Sequence, residues 1–283
     1  MDGLRFPVKA CVYETEPGVR VLVETQWPAG VPRGEILLVH GLESSSQAGY
    51  MLTMAQAALD AGYVAHRYNM RDVYNAGLTV DLLRVLEQLR DQGRGPVHLA
   101  GYSLGGNVIL KLAGELGEAA RPLVASLCAV STPIDLEACC RQLCQRSNRF
   151  YHNRFLRKLI ARTLLLDPTQ TGLGQVKTLV EFDDLVTGPA FGFRDAVDYY
   201  RHQSAARFLA GIRVPTLLIQ AKDDPMIPFS TFDHPAIGAN PHLRLLATEH
   251  GGHVGFLARG RRRFWSEGAV LEWVSRHHPP SRA

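Results

Sequence analysis

Short apolar runs alternate along the chain with longer segments whose apolar residues recur about every three to four positions. Glu35–Val39 and Pro96–Ala100 are continuous and apolar, as strands covered on both faces should be. Val64–Tyr68, Leu123–Val130, Pro215–Ala221 and Leu243–Thr248 read as further strands. Val19–Thr25 alternates at first and reads as an exposed strand, closed by Trp27-Pro28-Ala29-Gly30. Met51–Asp60 is expected as a helix, with Leu52, Ala55 and Leu59 on one stripe and Gly62 just past its end. Val80–Gln92, Gly105–Leu116 and Trp265–Arg276 follow the same period. Strands and helices alternating over short connections make a parallel sheet with helices on both faces, so the expected fold class is α/β.

One connection breaks this rhythm. From Val130 to Pro215 the chain runs for roughly 85 residues, where a few residues plus one helix is usual. Helices are expected within it at Leu136–Cys144, Phe150–Leu166 and Arg194–Ala206. An insertion of this kind, here residues 136–210, is expected to fold back over the sheet as a cap within a single domain spanning the chain.

Composition narrows the picture. The chain has 283 residues, 46% hydrophobic and 20% charged, which suits a globular core and excludes disordered and collagen-like chains. Lys plus Arg number 31 and Asp plus Glu 27, a net +4 that does not argue for nucleic acid. No stretch of about 18 uncharged apolar residues appears, nor an apolar leader after Met1–Ala10. The five cysteines are odd in number, and Cys139, Cys140 and Cys144 lack the paired spacing of zinc ligands. Reduced thiols in a cytoplasmic protein without metal or cofactor are therefore expected. No Gly-x-Gly-x-x-Gly or Walker sequence implies a nucleotide.

The candidate chemistry sits at strand ends. Gly101-Tyr-Ser-Leu-Gly105 falls directly after one strand and before a helix, the setting of a nucleophile elbow, and makes Ser103 the candidate nucleophile. A serine needs a base and an orienting acid, which in such a fold follow in the order acid, then histidine. Lys222-Asp223-Asp224-Pro225 follows the strand Pro215–Ala221. Asp224 is the preferred acid because it lies one residue further round the turn and Pro225 fixes the chain beyond it; Asp223 and Asp135 are the alternatives. Glu249-His250-Gly251-Gly252-His253 follows the last strand, and spacing alone does not separate His250 from His253. The oxyanion of acyl transfer needs two backbone donors. Leu104, after the nucleophile, and Leu42, in the loop His40-Gly41-Leu42-Glu43, are expected to supply them. His40 precedes the nucleophile and is read as a structural hydrogen bonder.

These residues together resemble the alpha/beta-hydrolase superfamily. Within it the chain is similar to the AB-hydrolase type-four branch of bacterial esterase-type proteins and eukaryotic acylglycerol lipases. The resemblance rests on His40-Gly-Leu-Glu, Gly101-Tyr-Ser-Leu-Gly-Gly-Asn107, Glu181-Phe-Asp-Asp184 with Thr187, Gly192-Phe, Tyr199-Tyr200, Ala221-Lys-Asp-Asp-Pro225 and His250-Gly-Gly-His-Val-Gly-Phe256, and spans about Val31 to Trp273. It implies an alpha/beta-hydrolase fold, with the cap between the sixth and seventh core strands. It also implies a triad of Ser103, Asp224 and His253 acting on carboxylic esters, with acylglycerols among the candidate substrates. Glu181–Asp184 is expected to cap a helix or anchor the cap. Two departures bear on substrate choice: Ser44 stands where the family usually has glycine, and Met70–Gly77 is shorter than the family's glycine-rich loop. The same triad could pass an acyl group to an alcohol, and a catalytically silent binding protein of the same fold is the remaining alternative.

Between Arg141 and Arg162 lie Arg146, Arg149, Arg154, Arg157 and Lys158 with no acidic residue. Interleaved with Phe150, Tyr151, Phe155, Leu156, Leu159 and Ile160, this basic cap is expected to be a solvated face. Peripheral contact with an anionic lipid surface is the sharper alternative. A second basic patch runs from Arg259 to Arg263.

Overall fold

The computed structural model describes residues 6–259 and 264–278. The amino-terminal residues 1–5, the basic run 260–263 and the tail from Pro279 lie outside the described residues. The strands are β1 (Lys9–Glu16), β2 (Val19–Gln26), β3 (Gly34–Val39), β4 (Tyr63–Tyr68), β5 (Val97–Tyr102), β6 (Val124–Val130), β7 (Thr216–Ala221) and β8 (Leu243–Thr248). They form one eight-stranded sheet in the order β1-β2-β4-β3-β5-β6-β7-β8. β1 and β2 run antiparallel at one edge, and the rest of the sheet is parallel.

The continuous apolar strands follow from burial on both faces. Successive side chains point to opposite faces. Leu37, Val39, Leu99, Leu127 and Ala129 enter one core layer with Leu82, Val85 and Leu86 of α2 (Val80–Asp91) and Val108, Ile109 and Leu112 of α3 (Leu104–Leu116). Ile36, Leu38, Ala100, Cys128 and Val130 enter the other, against Met51, Met54 and Leu59 of α1 (Gly49–Asp60) and Val270 and Val274 of the last helix, Trp265–Arg276. No helix among the described residues is long and apolar enough to cross a membrane.

β1 was not expected from the sequence. Its buried positions are confined to Tyr13 and Thr15, and apolar Ala10 and Val12 lie exposed beside them, so the period of two is hidden. Between β6 and β7 the chain forms α4 (Leu136–Leu143), α5 (Arg149–Leu166), α6 (Leu179–Phe182) and α7 (Ala196–Gln203), followed by a 3₁₀ segment at Ala205–Gly211. The helix expected at 194–206 is therefore shorter, because Asp195 caps it by accepting from the Asp198 amide at 2.7 Å. Asp135 caps α4 in the same way, and Thr178 with Glu181 forms a capping box on α6.

Asn107 joins this inserted stretch to the sheet's own helix α3. Its amide donates to the Ala76 carbonyl at 2.7 Å and the Gln203 carbonyl at 2.9 Å, and its oxygen accepts from the Ala205 amide at 2.8 Å. All of this is buried, so Asn107→Leu strands backbone groups without partners. A loss of about 3 kcal/mol is expected in urea unfolding, against under about 1 kcal/mol for an exposed Gln92→Ala change.

Candidate active site

Ser103 occupies the junction of β5 and α3 with φ 51° and ψ −122°, a backbone conformation strained for any side chain. Two glycines permit it. A Cβ on Gly101 would lie 2.5 Å from the Gly105 carbonyl oxygen, and one on Gly105 would lie 2.4 Å from the Val39 carbonyl oxygen. The elbow thus rests directly on the end of β3, and the Ser103 amide donates to the Val130 carbonyl of β6 at 2.8 Å.

Asp224 follows β7 and His253 the loop after β8. The Asp224 side chain is fully buried. Its oxygens accept from the Met226 and Ile227 amides at 2.9 and 3.2 Å and from the Gln220 side chain at 3.1 Å. The His253 ring nitrogen Nδ1 sits 2.9 Å from Asp224 Oδ2, and Nε2 sits 3.0 Å from Ser103 Oγ. The carboxylate accepts only, so Nδ1 carries the proton and Nε2 is left to accept from the serine hydroxyl.

The other candidates lie elsewhere. Asp223 is exposed and accepts from the Gly251 and Gly252 amides at 2.9 and 2.8 Å, with His250 Nδ1 at 3.2 Å. The Gly252 amide foremost holds the Asp223 carboxyl below its usual range. This pair shapes the loop that presents His253. Asp135 spends its carboxylate on the Ala138 amide of α4.

The loop after β3 borders Ser103, a Cβ on Gly41 falling 3.1 Å from Ser103 Cβ. Among the described residues, neither the Leu42 nor the Leu104 amide has an acceptor. His40 accepts from the Met70 amide through Nε2 at 3.3 Å, leaving Nδ1–H to donate to the Gly41 carbonyl at 2.8 Å. Burial pushes its pKa down, which keeps the ring neutral in this role. Ser44 accepts from the Tyr50 hydroxyl at 2.9 Å, and that hydroxyl accepts from the Gly41 amide at 3.0 Å. The serine in place of glycine therefore ties the loop down.

Several contributors were not visible in the sequence. Glu43, at φ 51°, donates its amide to the Tyr74 hydroxyl at 2.8 Å. Its carboxylate pairs with Arg162 of α5 at 2.6 Å, and Arg162 also lies 4.4 Å over the Tyr74 ring. Only the long-range packing of α5 on this loop reveals the pairing.

Ser103 and His253 open onto a cavity of about 110 Å³ walled by Leu42, Leu104, Leu136, Phe155, Leu159 and Met226 among others. Cys139 and Cys140 also line it, and burial pushes both thiols up. Its polar lining includes Asn75, Arg162, Thr187 and Asp183, whose carboxylate accepts from the Tyr200 hydroxyl at 2.5 Å, while neighbouring Asp184 accepts from the Ala196 amide at 2.6 Å. Desolvation raises the Asp183 pKa to about 6, against the hydrogen bonds from Thr187 and Tyr200. Among the described residues no cluster of three or more His, Cys, Asp or Glu side chains is arranged to hold a metal.

The sequence family described as the alpha/beta hydrolase family matches residues 36–265. The chain is 33% identical over 261 residues to the Escherichia coli (strain K12) protein YheT, covering 85% of this chain and 76% of that one. It is 30% identical over 259 residues to the monoacylglycerol lipase of Saccharomyces cerevisiae, covering 82% of this chain but only 57% of the yeast protein. It is also 30% identical over 243 residues to mouse phospholipase ABHD3, with 80% and 59% covered. Among solved structures, the Pyrococcus furiosus esterase Pf2001 superposes with a TM-score of 0.66 at 18% identity, over 97% of this chain and 92% of that one.

The raised Asp183 pKa fixes the sign of a pH effect. Protonation is favoured in the folded state, so Asp183 costs stability above about pH 6 and that cost fades as pH falls towards the unfolded carboxylate value. Asp183→Asn removes the cost. The Tm difference between variant and wild type is expected to widen as pH rises from 4.5 to about 7, and a difference constant across that range would contradict the assignment.

Proposed function

The chain belongs to the alpha/beta hydrolase family, and from that premise we propose that it is a serine hydrolase of carboxylic esters. The observation that carries this reading is the chain of contacts from Ser103 Oγ through the His253 ring to the buried Asp224 carboxylate, at the mouth of an apolar cavity. The names of the yeast lipase and the mouse phospholipase support esters with aliphatic acyl groups, and the apolar residues of the cavity wall are in keeping with a short- to medium-length chain.

In this mechanism His253 Nε2 takes the Ser103 proton as Oγ bonds to the ester carbonyl carbon. The carbonyl electron pair moves onto oxygen, where the Leu42 and Leu104 amides hold the negative charge. The intermediate collapses, breaking the bond to the alcohol oxygen, which receives the proton from Nε2. Water then attacks the acyl-enzyme by the same steps and regenerates Ser103. Asp224 holds Nδ1–H and stabilises the charged ring; its four hydrogen-bonding partners keep the carboxylate oriented.

The stretch 136–210 acts as the cap, supplying Leu136, Phe155 and Leu159 to the cavity wall. Its outward face supports peripheral contact with an anionic lipid surface: Phe150 and Leu165 are 70% and 80% exposed, beside Arg149 and Arg157.

Ser103→Ala is expected to abolish fluorophosphonate labelling and lower p-nitrophenyl ester turnover by roughly 10⁶-fold. Retained labelling would move the nucleophile elsewhere. Asp224→Asn keeps the fold but turns the ring to the wrong tautomer, and a loss of about 10³–10⁴ in kcat is expected. With ethanol added to the assay, free acid should remain the main product. A predominance of ethyl ester would make the protein an alcohol acyltransferase.

A further inference from the structure

The apolar cavity is one of two that meet at Ser103 and His253. The second is a wide groove on the other side of the serine, lined by Ser44, Ser45, Gln47, Tyr50, Arg154 and Lys158. Leu42, Phe155 and Val254 also border the groove, but its basic side chains Arg154 and Lys158 have no counterpart among the residues on the cavity side of α5 other than Arg162, which is paired with Glu43. Residues on a helix four apart share a face, and those one apart do not. Leu159 therefore faces the apolar cavity and Phe155 borders both spaces, while Arg154 and Lys158 turn the adjacent stripe to the groove.

The groove's charge is unbalanced. Among its lining residues the only carboxylate is Glu43, and Arg162 takes that carboxylate from behind. Lys158 Nζ reaches the Glu43 carbonyl at 3.1 Å, which fixes the ammonium at the groove wall without neutralising it. Among the described residues nothing accepts from the Arg154 guanidinium. His253, which must protonate the leaving oxygen, faces both spaces. An ester bound across the serine thus puts its aliphatic acyl chain in the apolar cavity and its alcohol half in the groove.

We propose that the groove is an alcohol-side subsite for an anionic group, so that the preferred substrates are acyl esters whose alcohol carries a phosphate or carboxylate, read by Arg154 and Lys158. This rests on the hydrolase reading and adds the class of leaving group to it. The planar guanidinium can give two parallel hydrogen bonds to either anion, and the lysine adds a point charge. Ser44, Ser45 and Gln47 offer polar contacts to hydroxyls nearer the ester. The groove opens to solvent, so the preference is screened by salt.

The test compares three hexanoyl esters that stay monomeric in water, which removes any lipid surface: those of glycerol, of glycerol 3-phosphate and of glycolate. In the wild type, kcat/KM for the phosphate ester is expected to exceed that for the glycerol ester about tenfold at low salt, mainly through KM, and to fall towards it at about 0.5 M KCl. Arg154→Gln should lower that ratio about tenfold, and Arg154→Lys should keep part of it. A preference for the phosphate over the glycolate ester identifies phosphate as the group read; equal gains identify the negative charge alone. A wild-type ratio near one, or a ratio that Arg154→Gln leaves intact, overturns the proposal. Absence of Ser103-dependent turnover of the glycerol ester would overturn the hydrolase reading and the subsite with it.

Discussion

The close approach of α3 to the ends of β3 and β5 is the constraint on which the site depends. With no side chains at 101 and 105, the backbone can turn sharply enough to hold Ser103 at positive φ. The strain is held by burial on every side: strands of both core layers, the Val130 carbonyl accepting from the Ser103 amide, and a helix whose apolar stripe is wholly enclosed. In return the Ser103 hydroxyl is presented to the His253 ring, 3.0 Å from Nε2.

The inserted stretch is joined to this rigid base at several points, among them the Tyr199 hydroxyl, which accepts from the Ala76 amide, and Asn148, which donates to the Pro225 carbonyl. Asn107 ties its last turns to α3, and Arg162 with Lys158 ties α5 to the loop that carries Leu42. Because the Leu42 amide is one of the proposed oxyanion donors, the helix that walls both spaces beside Ser103 also braces the loop that carries this proposed donor. Glu43 sits at positive φ between the two and carries the mechanical link through its carboxylate, amide and carbonyl.

Polar residues in the apolar cavity have a structural account as well as a chemical setting. Asp183, Asp184 and Glu181 anchor or cap the helices around them, in keeping with their placement at helix ends. Asp183 alone among these faces the cavity, and its raised pKa is the cost of burying a carboxylate where only hydroxyls pair with it.

Much of the fold was legible in the chain because its signals are local. An apolar run such as Glu35–Val39 reports two covered faces, and the stripe of α2 reports one, without reference to distant residues. β1 was not legible, since only Tyr13 and Thr15 turn inward there. The elbow at Ser103 was legible too, because strand, glycines and helix adjoin it directly. The turn Lys222-Asp223-Asp224-Pro225 favoured Asp224, but which histidine approaches the serine was not written in its neighbourhood; His250 and His253 differ little in local sequence. Their fates separate only once β5, β7 and β8 lie parallel in one sheet, so that the loops at their carboxyl ends meet. The same holds for the basic run of α5, which reads as one charged face in sequence. Packing against the sheet divides it, turning Arg162 inward to Glu43 and Arg154 and Lys158 to the groove, because helix orientation is set by the surface that covers it.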